Sequence, residues 1–139
     1  MNSIARAFTM PLLPRHDDID DAGHVSNIVY VRWMQDLAMA HSTSHGWDQQ
    51  RYVDFGGIFV VKRHEIDYGY SVKLGDIVLG RTWIESMKAV SCVRRTEIVV
   101  GVNMAIKAAT TWVMINRNSG RPQRIPEEIQ RLFLQPQPA

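Results

Sequence analysis

The chain has 139 residues and is 45% hydrophobic, enough for one globular domain with a modest core and too little for two. Against 14 Asp and Glu stand 16 Lys and Arg, and the resulting formal charge of +2 excludes a general nucleic-acid binder. A single cysteine rules out an internal disulfide, no apolar run approaches the ~20 residues that cross a bilayer, and no signal-like segment is evident, so the expectation is one cytoplasmic domain over residues 1–139 with no membrane partner.

Pro11 and Pro14 interrupt the first apolar segment, which limits residues 5–13 to a short edge strand. An acidic loop follows, "HDDIDDAGH", with Asp17, Asp18, Asp20 and Asp21 between His16 and His24. From residue 27 to 44 the positions Tyr30, Trp33, Met34, Leu37, Ala38 and His41 recur at helical spacing and predict an amphipathic helix. Ser26 is placed to cap it and Gly46 to stop it, while Ile28, Val29 and Val31 are poor helix formers that packing must hold.

A loop runs through Gly56 and Gly57, and then residues 58–68, 77–87, 90–100 and 104–116 are each rich in β-branched and aromatic side chains and predict strands. The joints after residues 87 and 100 are short enough for antiparallel hairpins, which suggests a four-strand meander. "NRNSGRP" reads as a turn, and Pro126 opens a short terminal helix in "IPEEIQRLF". A sheet with one apolar helix buries both by laying the helix across a sheet face.

The acidic loop invites a metal reading, which ligand counting removes. Numbered from Asp18 as a calcium loop, Asp20 and Gly23 fall correctly, but Ala22 stands at position 5 and Val29 at the closing position 12. His16, Asp20 and His24 have no second cluster at zinc spacing. There is no GxSxG elbow and no glycine-rich phosphate loop, and Cys92 sits mid-strand as a small buried thiol. Asx turns and the helix dipole account for one or two of the acids, but four exceed that need.

Asp20 lies seven residues before Asn27, and Gly23 allows the chain to turn back between them. A carboxylate then faces the positive end of the helix across a small gap. An acyl carbonyl in that gap would be polarised by backbone N–H groups near Asn27 while Asp20 directs attack on its carbon. Thioester hydrolysis needs that arrangement.

The stretch "DIDDAGHVSNIVYVRW", residues 18–33, resembles the opening motif of hotdog-fold acyl thioesterases of the hydroxybenzoyl-CoA thioesterase and YbgC-like group. The likeness lies in the D-x-D pair, Gly23 and the tyrosine ten residues after the second aspartate; "HVSN" is similar to the HVNN element of long-chain acyl-CoA and acyl-ACP thioesterases. "IDYGYSVKLGD" and "RPQRIP" extend the resemblance over roughly residues 4–133. It implies an α+β hotdog fold, an antiparallel sheet of about five strands wrapped around one long central helix, and hydrolysis of acyl-CoA or acyl-ACP thioesters without metal or other cofactor.

Carried over by position, Asp20 is the nucleophile or general base, and the Asn27 backbone N–H is the oxyanion donor. His24 polarises the thioester or orients Asp20, with a loop cap as its structural alternative. Asp18 is the supporting acid beside the substrate, and Tyr30 lines the acyl path, where Trp33 and Met34 read better as core. Ser26 departs from the family's asparagine but keeps the cap. Asp36 is a distant second to Asp20, because another hotdog branch places its acid within the helix.

Arg94, Arg95, Arg121 and Arg124 are candidates for the CoA phosphates, against a solvated-surface alternative for each. The resemblance also implies edge-to-edge homodimers assembling to a tetramer. The competing readings are an acyl-thioester hydratase or dehydratase using His24 and Asp20, and a non-catalytic acyl-CoA binder.

Overall fold

The computed structural model describes residues 7–135, so residues 5 and 6 of the expected first strand lie outside the described residues. Strand β1 spans Phe8–Leu12, and a 3-10 turn at His16–Asp18 leads through the acidic loop into helix α1, Asn27–Ser44. Helix α2 (Gln49–Phe55) precedes β2 (Gly57–Tyr68), β3 (Val78–Met87), β4 (Ser91–Val100), β5 (Asn103–Asn116) and helix α3 (Glu127–Phe133).

The long helix forms where its apolar stripe predicts. Val29, Tyr30, Trp33, Met34, Leu37 and His41 are buried along one face, and the Ser26 hydroxyl accepts from the Ile28 N–H at 3.4 Å. Burying a side chain the size of Leu37 contributes roughly 1.5–3 kcal/mol, which offsets the weak propensity of the β-branched first turn. The helix lies directly on β3: a Cβ at Gly80 would stand 2.6 Å from Leu37 Cδ1, so glycine there lets the leucine pack without moving aside.

The five strands form one antiparallel sheet in the order β1-β3-β4-β5-β2. Two hairpins join β3, β4 and β5 as expected, but the four-strand meander does not hold. Strand β2 crosses to the far edge and pairs with β5, from Gly57 opposite Asn116 to Tyr68 opposite Ile106. Its inner positions then line the space under the second half of α1, and its outer backbone edge has no neighbouring strand among the described residues.

Helix α2 falls in the segment read as loop. Asp48 caps it by accepting from the Arg51 N–H at 2.9 Å, and Arg51 both stacks over Trp47 at 4.0 Å and donates to both Glu128 carboxylate oxygens. Seven residues are too few to display a helical repeat, so its signal was confined to the cap. Trp47 and Tyr52 then pack with Cys92, Met114, Ile129 and Phe133 in a second core at the far end of α1.

Candidate functional site

The acidic loop is a small closed turn. Ile19 and Val25 form an isolated antiparallel bridge, the Asp20 N–H donates to the His24 carbonyl at 2.8 Å, and Gly23 takes φ 82° to close the loop. This pairing sets Asp20 a short distance from the first turn of α1. Asp20 Oδ1 accepts from the N–H groups of Ala22 at 2.9 Å and His24 at 3.3 Å, while Oδ2 accepts no hydrogen bond among the described residues. The side chain is oriented by one oxygen and presents the other.

Asp20, His24, Asn27 and Tyr30 line one cleft of about 200 Å³, closed on its other side by the bend after β2, Tyr68 to Ser71. In the first turn of α1 the Ile28 N–H is taken by Ser26 Oγ and the Val29 N–H by the Ser26 carbonyl, whereas the Asn27 N–H has no partner among the described residues. An unpartnered N–H at a helix N-terminus is a donor for a carbonyl oxygen that gains negative charge. The cleft thus brings together a residue with a carboxylate and the first residue of a helix.

Tyr30 is buried, and its hydroxyl accepts from the Val72 N–H at 3.1 Å. Burial raises the phenol above its ordinary pKa, although the Val72 hydrogen bond pulls the other way, so it stays protonated at neutral pH. It stands as a fixed neutral wall, with Tyr68 edge-on at 5.9 Å and exposed at the mouth. Tyr70 is held by donating to Asp76 Oδ2 at 3.1 Å, and the same oxygen accepts from the Lys73 N–H. Sequence reasoning did not place the bend at the site; the signal was the Tyr-Gly-Tyr-Ser run. Gly69 there is closely confined, because a Cβ would meet the Met104 carbonyl oxygen at 2.4 Å.

Asp18 is not at the cleft. It is 4% exposed, accepts from Arg32 Nη2 at 2.8 Å and from the Arg15 N–H at 2.9 Å, and fastens the loop to α1. Burial pushes its carboxyl up, but the Arg32 and Arg15 hydrogen bonds outweigh that and hold it below the ordinary range. Expected as a substrate-side acid, Asp18 is instead turned to Arg32 and Arg15 and does not line the cleft. Asp36 is exposed on α1 and lines neither cavity.

The four arginines separate. Arg121 and Arg124 are exposed on the segment beyond β5, at the sheet end where Gly57 opens β2, far along the strand from Tyr68. Arg95 pairs with Glu85 at 3.1 Å. Arg94 is the exception: it is 7% exposed and points inward, so the expected surface contact with phosphate is corrected by the parity of β4, which turns Cys92, Arg94, Thr96 and Ile98 to the buried face. Its guanidinium borders a second cavity of about 590 Å³ between the C-terminal half of α1, α2 and the start of β2.

No helix among the described residues is long and apolar enough to cross a membrane. Residues 6–133 match the family described as the acyl-ACP thioesterase N-terminal domain. The chain is 26% identical over 129 residues to the acyl-CoA thioester hydrolase YbgC of Escherichia coli, covering 92% of this chain and 96% of that protein. Among solved structures it is similar to a 1,4-dihydroxy-2-naphthoyl-CoA thioesterase from Synechocystis, at TM-score 0.83 and 19% identity over 91% of this chain and 95% of that one. A Staphylococcus aureus hypothetical protein in complex with CoA superposes at TM-score 0.87 and 17% identity, covering 96% of this chain and 87% of the other. The chain shares its hotdog architecture with these solved structures.

Proposed function

The chain belongs to the acyl-ACP thioesterase N-terminal domain family and is a thioester hydrolase, and from that premise we propose that it cleaves acyl-CoA or acyl-ACP thioesters in the cleft between Asp20 and Asn27. One observation carries the assignment of the site: Asp20, with one carboxylate oxygen open, and Asn27, whose N–H has no partner among the described residues, line the same 200 Å³ cleft.

With the thioester carbonyl oxygen on the Asn27 N–H, charge developing on that oxygen is met by a donor already oriented by the helix. Asp20 Oδ2 accepts a proton from water as the water oxygen bonds to the carbonyl carbon. The C–S bond then breaks, and the leaving thiolate takes up the proton held by Asp20, which gives the free thiol and restores the carboxylate. Water activation suits Asp20 better than direct attack, because the side chain is solvent-exposed and Oδ1 is committed to the turn. The His24 ring lines the same cleft and is placed to orient the thioester.

In this reading the enzyme is a homodimer joined along β2. The outer side of that twelve-residue edge strand has no neighbouring strand among the described residues, and an exposed edge of such length calls for a partner. Antiparallel pairing of two copies about the strand centre sets the start of one β2 beside the end of the other. The larger cavity and exposed Arg121 and Arg124 of one subunit then approach the Asp20 cleft of its partner, supplying an acyl pocket and cations for CoA phosphates.

The decisive experiment is Asp20→Asn assayed for thiol release. Asn Oδ1 still accepts from Ala22 and His24, so the turn persists while the base is lost. Turnover should fall by about 10²–10⁴, with an unchanged circular dichroism spectrum; undiminished turnover would remove Asp20 from the mechanism.

A further inference from the structure

Arg94 is a buried cation among neutral neighbours. Its Nη1 donates to His41 Nδ1 at 2.9 Å and to Thr82 Oγ1 at 3.0 Å, and among the described residues it has no carboxylate partner. The lining of the 590 Å³ cavity it borders includes a second arginine, Arg117 at the exposed rim, and contains no Asp or Glu. The remaining wall is largely apolar, with Phe59, Ile84 and Met87 prominent. Trp112 lines it as well, and its buried indole N–H has no hydrogen-bond partner among the described residues.

A buried charge facing neutral groups is a costly arrangement unless an opposite charge completes it. Burial lowers the Arg94 pKa to about 10, which leaves the guanidinium charged at neutral pH. A largely apolar chamber with two arginines, an indole N–H and no acid in its lining is complementary to an acid on an apolar stem. We propose that this cavity binds an apolar chain ending in a carboxylate, with the acid group against Arg94. Two molecules carry that chemistry: a free fatty acid, and an acyl thioester whose far end is itself an acid. The binding site stands without the hydrolase reading; only its use by the far end of an acyl group rests on it.

Calorimetric titration with octanoate and with 1-octanol isolates the acid. Octanoate should bind about ten- to a hundredfold tighter, the usual worth of a hydrogen bond to a charged group. Arg94→Met, which keeps the stem and removes the charge, should erase the difference, Arg94→Lys should restore part of it, and Trp112→Phe should weaken octanoate severalfold while leaving octanol unchanged. Equal binding of acid and alcohol by the wild type, or a difference that survives Arg94→Met, overturns the proposal.

Thiol release then separates the sources. A preference for suberoyl-CoA over octanoyl-CoA that disappears in Arg94→Met places the acid at the far end of the substrate. Inhibition of octanoyl-CoA hydrolysis by octanoate, without that preference, places a free acid there. If no thioester is cleaved while octanoate still outbinds octanol, the hydrolase reading fails and the carboxylate site remains.

Discussion

Asp18 and Arg32 form an ion pair at 2.8 Å that joins the acidic loop to the second turn of α1, with the carboxylate 4% exposed and the guanidinium half in solvent. The pair holds the loop that carries Asp20 against the helix that carries Asn27, so its chemistry is positional. Since the folded pKa of Asp18 is depressed below the ordinary 3.8, its stabilisation is present above the unfolded value and is lost as pH falls through the folded one. Asp18→Asn should therefore cost about 1–3 kcal/mol at neutral pH, and the gap in melting temperature from the wild type should close on acidification below pH ~4. Thermal melts by circular dichroism at pH 7 and pH 3 check this, and a gap that widens in acid would contradict the pairing.

The bend at Gly69 is fixed by contact with backbone. The Met104 carbonyl oxygen lies 2.4 Å from where a Cβ would stand, and that strand is paired on its other side and cannot yield cheaply. Gly69→Ala should destabilise the fold by about 1–3 kcal/mol and displace Tyr68 and Tyr70 from the cleft. Urea unfolding measures the first effect. The second should appear as a loss of thiol-release activity exceeding that of an equally destabilised core variant.

Leu37→Ala supplies such a control. Leu37 is fully buried between α1 and β3, with its Cδ atoms against Gly80, and it touches neither cavity. Its truncation should cost about 2–5 kcal/mol while leaving kcat at 20 °C close to that of the wild type. A denaturation midpoint that hardly moves would mean that the helix does not bear on β3 as described.

The central helix was legible because six apolar positions repeat at one spacing and a serine stands at its start; both are local signals. The fates of the aspartates were not. Asp18 closes a short 3-10 turn and Asp20 opens the turn after it, and the deciding partner of Asp18, Arg32, lies fourteen residues away. Arg94 was readable in part: once Cys92 is taken as buried, the period of two places Arg94 on the same face. What hides it in the sequence is the rarity of buried arginine, which makes a solvated surface the natural first reading. The pairing of β2 with β5 rather than β3 is long-range, and hairpin spacing carries no information about it.

The proposed dimeric site makes a prediction that no property of the single chain can satisfy. In one subunit the Asp20 cleft lies near Tyr68 and the larger cavity near residues 58–61, at opposite ends of β2. If hydrolysis uses the cleft of one copy and the cavity of its partner, two defective chains can rescue each other. Cys92→Trp fills the cavity from its floor, and Asp20→Asn removes the base; each alone should be nearly inactive. Co-expressed, half of the dimers carry one of each, and every such dimer holds one intact site of two. Thiol release should therefore recover to about a quarter of the wild-type rate, the value expected of a two-fold assembly with random pairing. Sedimentation should give a mass of at least twice 15.9 kDa. Full dimerisation without rescue would mean that each subunit completes its own site, and the cavity lined by Arg94 would then serve a ligand other than the acyl group being cleaved.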